Sequence, residues 1–337
     1  MNKMEKLGAA IIGCGAIHGV HADALTKSEY AKLICVVDIK EDRAKKAADK
    51  YGCEWETDYK KVLERKDIDV IHICTPHYLH ASMAIEGLKA GKHVLVEKPA
   101  AINVEQAKQM MDAEKEYGGF LGVCFQNRYN PTSVKAKEIL NSGELGKILG
   151  IKGLVTWYRD SEYYLTSGWR GSFETEGGGV LINQSIHTLD LMQWLGGDIE
   201  AIVGSVSTKS LADVIEVEDT ADAVIYFKNG ARGIFYATNC YTNNSAVEIE
   251  IHCEKGILNI KDGELIKYSN GIKERIVDEN NKTSPYKNYW GNSHAALIRD
   301  FYKSIQNNDF SGIISVEEGI KSLKMIDGIY KSASTGN

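Results

Sequence analysis

The chain has 337 residues, of which 43% are apolar and 26% charged, a composition typical of a folded globular protein long enough for two domains. Its net charge of -6, with basic residues scattered among acids, leaves no basic surface for a nucleic-acid backbone. No apolar run reaches the roughly 18 residues that a membrane span requires.

The cysteines and the N-terminus indicate the compartment. The seven cysteines are spread singly, without a C-x-x-C pair, which favours reduced thiols over a disulfide framework or a metal site. The stretch from Met1 to Ile17 resembles an export signal superficially, but Glu5 and the lack of a small-residue cleavage site argue against export. The sequence therefore predicts a cytoplasmic protein without a metal, a membrane anchor or a nucleic-acid partner.

Residues 7 to about 125 alternate short apolar runs with amphipathic segments. The apolar runs predict strands at "GAAIIGCG", "AKLICVVD", "DVIHICTP", "KHVLVEKP" and "FLGVCFQN". Segments between them, such as "DRAKKAADKYG" and "HASMAIEGLKAG", predict helices that end in glycine. Apolar strands separated by helices indicate a parallel sheet covered on both faces, so residues 1–126 are predicted to form a doubly wound α/β domain.

The first predicted strand ends in a turn with two glycines. Gly13 and Gly15 would let the backbone approach a pyrophosphate at a helix N-terminus, whereas His18 replaces the third glycine, which mainly serves helix-strand packing. Asp38 closes the next strand, where an acid accepts hydrogen bonds from ribose hydroxyls and repels a 2'-phosphate. The ordered pattern predicts a dinucleotide site that prefers NAD to NADP, although two basic side chains follow Asp38.

Lys98 closes another buried strand, in "VEKPAA". The carboxyl ends of parallel strands face the ligand crevice, so a lysine there is placed toward a bound nicotinamide and substrate. A solvated lysine at a strand end is the alternative, and position alone does not separate the two interpretations.

The pattern changes after about residue 127. "TADAVIYFKNGARGIFYATN" places Asn229-Gly230 between two apolar runs, which is a strong hairpin signal, and further turns follow at Lys255-Gly256 and Asp262-Gly263. Helices are predicted before these strands ("SVKAKEILNSG", "SIHTLDLMQWLGG") and at the end of the chain ("SHAALIRDFYKSIQNN", "VEEGIKSLKMIDGIYKSA"). Residues 127–337 are therefore predicted to form an α+β domain with an open, mostly antiparallel sheet.

The segment "GWRGSFETEGGGVLINQSIHTLD" combines three glycines with polar side chains. Gly177–Gly179 allow close backbone approach, and Asn183, His187 and Asp190 follow at helical spacing, which would place all three on one face if the stretch is helical. A histidine side chain ordinarily has a pKa near neutral pH, which makes His187 a candidate general base. A hydrogen-bonded core histidine is the alternative interpretation.

Two further candidate site residues each have a functional and a structural interpretation. His294, after "YWGNS", either contacts a substrate or begins a helix. Tyr158 belongs to "WYRDSEYY", which predicts either a wall for stacking a sugar or a buried sheet edge.

Taken together, these stretches resemble the Gfo/Idh/MocA family of NAD(P)-dependent oxidoreductases along essentially the whole chain. The matching segments are the Gly13-Cys14-Gly15 turn, "CTPHYLH", "EKP" at 97–99, "QNRYNP" at 126–131, "GWRG", "GGGVLINQSIH" with Asp190, and "EEGIKSLKMIDGIYKSA". The resemblance implies an N-terminal NAD-binding Rossmann domain over 1–126. It also implies a domain over 127–337 that binds substrate and supports homodimers or homotetramers.

The resemblance assigns roles to individual positions. Lys98 and His187 fall on the catalytic lysine and histidine of the family. The implied cofactor contacts are Gly13, Gly15, Ala16, Ile17, Asp38, Thr75, Pro76, His80, Glu97, Lys98 and Gln126. The implied substrate contacts are Asn183, Arg170, Asn127, Arg128, Tyr158 and His294.

The resemblance also implies the chemistry, which is oxidation or reduction of a secondary hydroxyl of a sugar, polyol or nucleotide sugar. The chain is most similar to the branch that contains UDP-N-acetylglucosamine and UDP-N-acetylglucosaminuronate 3-dehydrogenases. Inositol dehydrogenase, NAD-dependent glycosidase and non-catalytic NAD-binding sensor are the alternatives. Asn183 stands where many members carry Asp, and because an amide neither carries a negative charge nor accepts a proton, a Lys-Asp-His relay is in doubt.

Overall fold

The computed structural model describes residues 5–279 and 293–335, which form two compact units. The first unit comprises the described part of Met1–Gln126 and Asn292–Ile320. The second unit comprises the described part of Asn127–Gly291 and Lys321–Asn337.

The first unit contains a parallel sheet. Its strands, among the described residues, are β1 (Leu7–Ile12), β2 (Ala31–Val37), β3 (Glu54–Glu56), β4 (Val70–Ile73), β5 (His93–Val96) and β6 (Leu121–Val123). They lie in the order β3-β2-β1-β4-β5-β6, and each neighbouring pair is parallel. This order reverses direction at β1 and β4, as in a dinucleotide-binding fold. The predicted doubly wound sheet is therefore confirmed.

Helices connect these strands. They are α1 (His18–Thr26), α2 (Glu41–Tyr51), α3 (Tyr59–Leu63), α4 (His80–Lys89) and α5 (Val104–Tyr117). The predicted glycine ending of α2 is present, because Gly52 follows the helix in the left-handed conformation and its N–H reaches the carbonyl of Ala48. Strands β1, β4 and β5 are buried nearly throughout, which explains their continuous apolar sequences.

The second unit contains a larger, mostly antiparallel sheet. Its strands, within the described part of the chain, are β7 (Ile148–Thr156), β8 (Ile199–Ser207), β9 (Thr220–Phe227), β10 (Arg232–Thr238), β11 (Glu248–Cys253), β12 (Gly256–Lys261), β13 (Glu264–Ser269) and β14 (Ile272–Asp278). Their order is β14-β13-β12-β11-β7-β10-β9-β8. Strands β9 and β10 form the predicted hairpin at Asn229-Gly230. The pair β7 and β10 is parallel, in contrast to the other neighbours.

This unit also contains the helices α6 (Pro131–Ser142), α7 (Ser161–Leu165) and α8 (Ile186–Gly196). Of these, α6 and α8 contact the sheet. Residues along β9 alternate between buried and exposed, so one face of the hairpin lies on the core and the other faces outward.

The last two helices, α9 (His294–Asn307) and α10 (Val316–Thr335), correct the predicted division of the chain. The change of unit after Gln126 agrees with the prediction, but residues 293–320 belong to the first unit rather than to a second domain of 127–337. Helix α9 packs on α1. The Val123 N–H also donates to the Ile314 carbonyl, so the returning chain pairs with β6. Across residues 5–279 and 293–335, every helix is too short or too polar to cross a bilayer.

Candidate functional site

The turn after β1 is shaped for close approach of a ligand. Gly13 has a φ of 98°, and a Cβ at this position would lie 2.7 Å from the Cys74 carbonyl oxygen, so glycine is required there. Gly15 has an ordinary φ, and a Cβ at this position would meet no protein atom within 4 Å. The space above Gly15, at the start of α1, therefore fits a pyrophosphate group, with Ala16 and Ile17 leading into the helix.

Asp38 lies beside this turn and is nearly buried. Its Oδ2 accepts a hydrogen bond from the Cys14 N–H at 2.9 Å, and its Oδ1 accepts one from the Lys40 N–H at 2.8 Å. The carboxylate therefore fixes the glycine turn in addition to the ribose contact predicted from the sequence. A carboxylate at this position would repel a 2'-phosphate on the cofactor.

His80 connects two other loops of the first unit. Its ring is fully buried, with Nδ1 2.7 Å from the Pro99 carbonyl oxygen and Nε2 2.9 Å from that of Thr75. Burial lowers the pKa of His80, against the two carbonyl contacts that raise it. Because a carbonyl oxygen only accepts, a neutral ring donates to one of the two carbonyls and a protonated ring donates to both. The structure thus places the predicted cofactor contacts Thr75, Pro76 and His80 together, and it gives His80 a role in joining the segment after β4 to the segment that carries Lys98.

Glu97 and Lys98 follow β5. Glu97 is buried, and its Oε1 lies 2.9 Å from His21 Nε2 and 3.5 Å from His294 Nε2. Its Oε2 accepts a hydrogen bond from the Lys98 N–H at 3.2 Å. The Glu97 carboxylate was predicted to contact the cofactor, but it forms hydrogen bonds within the first unit. The next residue, Lys98, is half-buried.

Three side chains continue from Glu97 into the core as one buried chain of hydrogen bonds. His21 Nδ1 lies 2.8 Å from His72 Nδ1, and His72 Nε2 lies 2.9 Å from the Tyr302 hydroxyl. Because the Glu97 carboxylate accepts only, His21 donates to it from Nε2. The ring nitrogens of His72 then connect His21 Nδ1 to the Tyr302 hydroxyl, so every link joins two groups that can form a hydrogen bond.

The protonation states of these groups agree with this chain. Burial alone would raise the pKa of Glu97, but the hydrogen bonds from His21 and His294 hold it well below its usual range. Burial lowers the pKa of His72 well below its usual range, and it also lowers that of His294. An ionised Glu97 therefore accepts the hydrogen bond from the Lys98 N–H.

His21, Glu97 and Cys124 also bring three possible metal-ligand atoms within 4.8 Å of one another. The 2.9 Å contact between His21 and Glu97 is a hydrogen bond, and it is shorter than the separation of about 3.3 Å between two ligands that tetrahedral zinc holds at about 2.0 Å. The group is therefore assigned as a polar network.

The position of His294 corrects a prediction. The sequence analysis placed it in the substrate-binding domain, but the structure places it at the start of α9 in the first unit, against Glu97 and with its ring 5.8 Å from that of His21. The reason is that 293–320 returns to the first unit. A substrate contact of His294 stays a prediction.

In the second unit, the glycine-rich segment is held by a buried carboxylate that the sequence analysis missed. Glu218 accepts hydrogen bonds from the Gly179 N–H at 3.0 Å and the Leu181 N–H at 2.9 Å, and the Tyr330 hydroxyl also donates to it. A Cβ at Gly179 would lie 1.9 Å from the Glu218 carbonyl oxygen, so the close approach requires glycine. The segment that leads to His187 is therefore fixed from the side of β9.

The arrangement of Asn183, His187 and Asp190 differs from the predicted single helical face. Helix α8 begins at Ile186, so Asn183 lies in the preceding turns. Its Nδ2 donates to Glu176 Oε1 at 2.5 Å. Glu176 is fully buried and was also missed by the sequence analysis. His187 and Asn183 are each half-buried, in contrast to Asp190, which is buried.

Asp190 is bound by Arg128. Arg128 Nε donates to Asp190 Oδ2 at 2.9 Å, and Nη2 donates to Oδ1 at 2.7 Å. Both side chains are less than a tenth exposed. Two donors of the predicted substrate contact Arg128 are therefore committed to a bidentate ion pair that fixes α8 to the segment after β6.

The remaining predicted substrate contacts also lie in the second unit. Asn127 Oδ1 and Arg170 Nε are buried atoms with no hydrogen-bond partner within the described ranges 5–279 and 293–335. The Arg170 guanidinium lies 4.4 Å from the centre of the Tyr163 ring. The Tyr158 ring is half exposed. Gln126, a predicted cofactor contact, is buried at the end of the first unit's N-terminal segment.

Two family models match the two parts of the chain. One, described as an oxidoreductase family with an NAD-binding Rossmann fold, matches residues 7–125. The other, described as the GFO/IDH/MocA C-terminal domain, matches residues 133–259. The chain belongs to the Gfo/Idh/MocA family. This protein of the Gfo/Idh/MocA family is therefore an oxidoreductase, and its first unit is the NAD-binding domain.

Individual relatives of this Gfo/Idh/MocA protein act on hydroxylated substrates. The solved WlbA dehydrogenase from Bordetella pertussis, in complex with NADH and UDP-GlcNAcA, is 30% identical with a TM-score of 0.85, covering 99% of this chain and 98% of that chain. Levoglucosan dehydrogenase from Pseudarthrobacter phenanthrenivorans is 31% identical over 75% of this chain and 73% of the relative. A scyllo-inositol 2-dehydrogenase (NAD(+)) from Bacillus subtilis is 32% identical over 68% of this chain and 66% of the relative.

Proposed function

We propose that the protein is an NAD-dependent dehydrogenase that oxidises a secondary hydroxyl of a pyranose-type substrate, with a UDP-linked N-acetylhexosamine or its uronate as the leading class. The observation that carries this proposal is that two of the predicted substrate contacts, Asn127 and Arg170, each have a buried polar atom without a hydrogen-bond partner among residues 5–279 and 293–335. Unsatisfied buried polar atoms are costly unless a ligand completes them. One acceptor and one cationic donor suit a hydroxylated, negatively charged ligand, as in the substrate named for the WlbA complex.

The catalytic residues in this proposal are Lys98 and His187. His187 takes the proton of the substrate hydroxyl, and Lys98 donates a hydrogen bond to the same oxygen and stabilises the negative charge that develops on it. NAD, held at the Gly13-Gly15 turn and by Asp38, supplies a hydride acceptor when bound. His187 is assigned the base role because a neutral imidazole can accept a proton near neutral pH, whereas a lysine is ordinarily charged there.

The test is a panel of sugars, inositols and UDP-sugars incubated with NAD and followed by NADH absorbance. Net NADH formation on a UDP-sugar or sugar supports the proposal, and turnover limited to inositols would move the assignment to an inositol dehydrogenase. A glycosidase that uses bound NAD would release sugar without net NADH. Absence of turnover across the panel, with NAD still bound, would favour a sensor.

Cofactor choice is expected to depend on the charge of Asp38. The wild type should bind NAD more tightly than NADP, and Asp38→Ala should narrow the difference by about tenfold or more because the repulsion of a 2'-phosphate is lost. Asp38→Asn is the matched control, since it keeps an acceptor for the Cys14 N–H while removing the charge. Both affinities can be measured by calorimetry. Tighter binding of NADP by the unmutated protein would contradict the prediction.

The outward face of the second sheet is proposed as the interface of a homodimer or homotetramer. Val203 of β8, Val224 of β9 and Ile234 of β10 are direct neighbours across three strands, and each is more than a third exposed. Tyr226 and Tyr236 extend this apolar surface. Contiguous exposed apolar area on a sheet is a common feature of protein interfaces.

Light scattering at micromolar concentration is expected to give a mass of at least twice the 37.3 kDa of one chain. Ile234→Lys should lower this mass, because it places a charge in the proposed interface. Ile39→Lys is the matched control, since Ile39 is 88% exposed and lies in the first unit. A monomeric wild type would contradict the proposed interface.

A further inference from the structure

The amide of Asn183 is oriented by its partner. Its Nδ2 donates to Glu176 Oε1 at 2.5 Å and lies 3.5 Å from the Tyr163 hydroxyl. An ionised carboxylate accepts hydrogen bonds and donates none, so the nitrogen of the amide must face Glu176. The carbonyl Oδ1 of Asn183 then lies on the opposite edge of the amide.

Glu176 is held in place by the backbone on its other side. Its Oε2 accepts a hydrogen bond from the Gly171 N–H at 2.6 Å, and the residue is fully buried. One carboxylate oxygen is thus used by the fold and the other by Asn183. The two bonds are not equivalent, because the Gly171 N–H can only donate, whereas the Asn183 amide can donate or accept depending on which way it is turned.

The charged and titratable groups around Glu176 come from several elements. Arg170, in the loop after α7, is the cation that favours its charged form, and Glu218, on the other side of the glycine-rich turn, opposes it. The Tyr164 and Tyr330 hydroxyls are also influenced by the Glu176 charge. Burial raises the pKa of Glu176 to about 7, against the hydrogen bonds from Gly171 and Asn183 and the charge of Arg170, which lower it.

Protonation of Glu176 would reverse the amide. A protonated Oε1 donates, and its favourable partner is the Asn183 carbonyl, so the amide would turn and present Nδ2 on its opposite edge. Asn183 would then offer a donor where it had offered an acceptor. A hydroxyl that donates to Asn183 in the first state loses that hydrogen bond in the second.

We propose that Glu176 and Asn183 form one substrate-positioning unit, in which the Glu176 carboxylate supplies a negative charge and turns the Asn183 carbonyl toward a donating hydroxyl of the substrate. This inference rests on the proposed dehydrogenase function. Glu176 supplies the negative charge that the Asn183 amide lacks, and it lies one hydrogen bond further from the substrate than Asn183. Glu176 is a positioning residue, because it acts through Asn183.

The decisive variant is Glu176→Gln. Its amide oxygen must accept from the Gly171 N–H, so its nitrogen faces Asn183 and forces the Asn183 carbonyl inward. The variant therefore holds the amide in the orientation of protonated Glu176 at every pH. We expect kcat/KM at pH 8 to fall about 10- to 100-fold, mainly through KM, because one hydrogen bond to the substrate is lost.

The wild-type kcat/KM should decline as pH falls through about 7, because protonation of Glu176 adds to protonation of the base His187. The decline should be less steep in Glu176→Gln, where only His187 titrates. Glu174→Gln is the matched control, since Glu174 is an exposed acid in the same loop and should leave the rate and the pH profile unchanged. Equal kcat/KM and an equal pH profile for Glu176→Gln and the wild type would overturn the proposal.

The complementary test exchanges the carboxylate of Glu176 and the amide of Asn183. In the double variant Glu176→Gln with Asn183→Asp, the glutamine nitrogen donates to the new carboxylate, whose other oxygen again accepts from the substrate. We expect kcat/KM to recover to within a few-fold of wild type. Asn183→Asp alone should be impaired, because two carboxylates would then face each other and share a proton. A double variant no more active than Glu176→Gln would contradict the proposal that Glu176 and Asn183 act as one positioning unit.

Infrared titration separates this inference from the proposed function. A carboxylic acid C=O band that disappears as pH rises through about 7 is expected in the wild type and not in Glu176→Gln, whether or not a substrate is known. If the sugar panel gives no turnover but the band titrates, the proposed function fails and the coupled titration stands. If turnover occurs but Glu176→Gln leaves KM unchanged, the positioning unit is wrong. Melting temperatures of all variants verify that each is folded.

Discussion

Alanine at either Lys98 or His187 is expected to lower kcat by about 10²- to 10⁴-fold while NAD still binds. This range is typical for the loss of a general base or of a preorganised electrostatic partner. Lys98 follows the buried strand β5 and lies directly beside the ionised Glu97, whereas His187 lies in the first turn of α8 behind the fixed glycine-rich segment. Steady-state kinetics on a substrate identified from the panel, with calorimetric NAD affinity beside it, measures both quantities.

His252→Ala is the matched control for the histidine, because His252 is about half exposed on β11 and pairs with Glu250. It should leave kcat unchanged. Near-normal turnover by His187→Ala would show that this histidine is structural and would make Lys98 the first alternative base. Loss of NAD binding together with activity would instead indicate a damaged fold.

Removing Asp190 is expected to destabilise the second unit strongly. Asp190→Ala leaves the guanidinium of Arg128 buried without its carboxylate, and breaking a buried ion pair in this way costs about 3–5 kcal/mol. Asp190→Asn keeps a hydrogen-bond acceptor and should cost less. Thermal and urea denaturation of the purified variants measures the effect.

Asp327→Ala is the control for this experiment. Asp327 pairs with Lys331 at 2.6 Å, but both side chains are about half exposed or more, so the loss should stay within about 0.5 kcal/mol. If Asp190→Ala were as stable as Asp327→Ala, the Arg128 charge would have another compensating partner, and the assignment of the pair as the anchor of α8 would be wrong.

The sequence was sufficient to predict the elements whose signals are local. Continuous apolar runs predicted β1, β2, β4, β5 and β6, and Asn229-Gly230 predicted the hairpin of β9 and β10. Strand β3 was missed because it is a short edge strand, Glu54–Glu56, with exposed polar side chains and no apolar run. The parallel contact of β7 with β10 was also missed, since it joins strands far apart in the chain and leaves no periodic signature.

Site residues that belong to one continuous sequence motif could be predicted. Contacts between residues that lie far apart in the chain could not. The glycine turn, Asp38, Lys98 and His187 lie in recognisable segments. By contrast, the His72 to Tyr302 contact spans 230 positions, and the acid that meets Asn183 was hidden in "SFETEGGG" as one of two ordinary glutamates. Only tertiary packing distinguishes the buried Glu176 from the exposed Glu174.

The return of residues 293–320 to the first unit has a consequence for synthesis on the ribosome. The chain leaves the first unit after residue 126 and has returned to it by residue 293, so the nucleotide-binding half is not a segment that can be completed first. At about 5–20 residues per second, roughly 10 to 40 s separate the translation of residue 126 from that of residue 320. During this interval His72 lacks the hydroxyl of Tyr302, and β6 lacks its pairing with Ile314. A nascent chain or a truncation that ends at 126 therefore exposes a polar group and a strand edge that the finished protein covers.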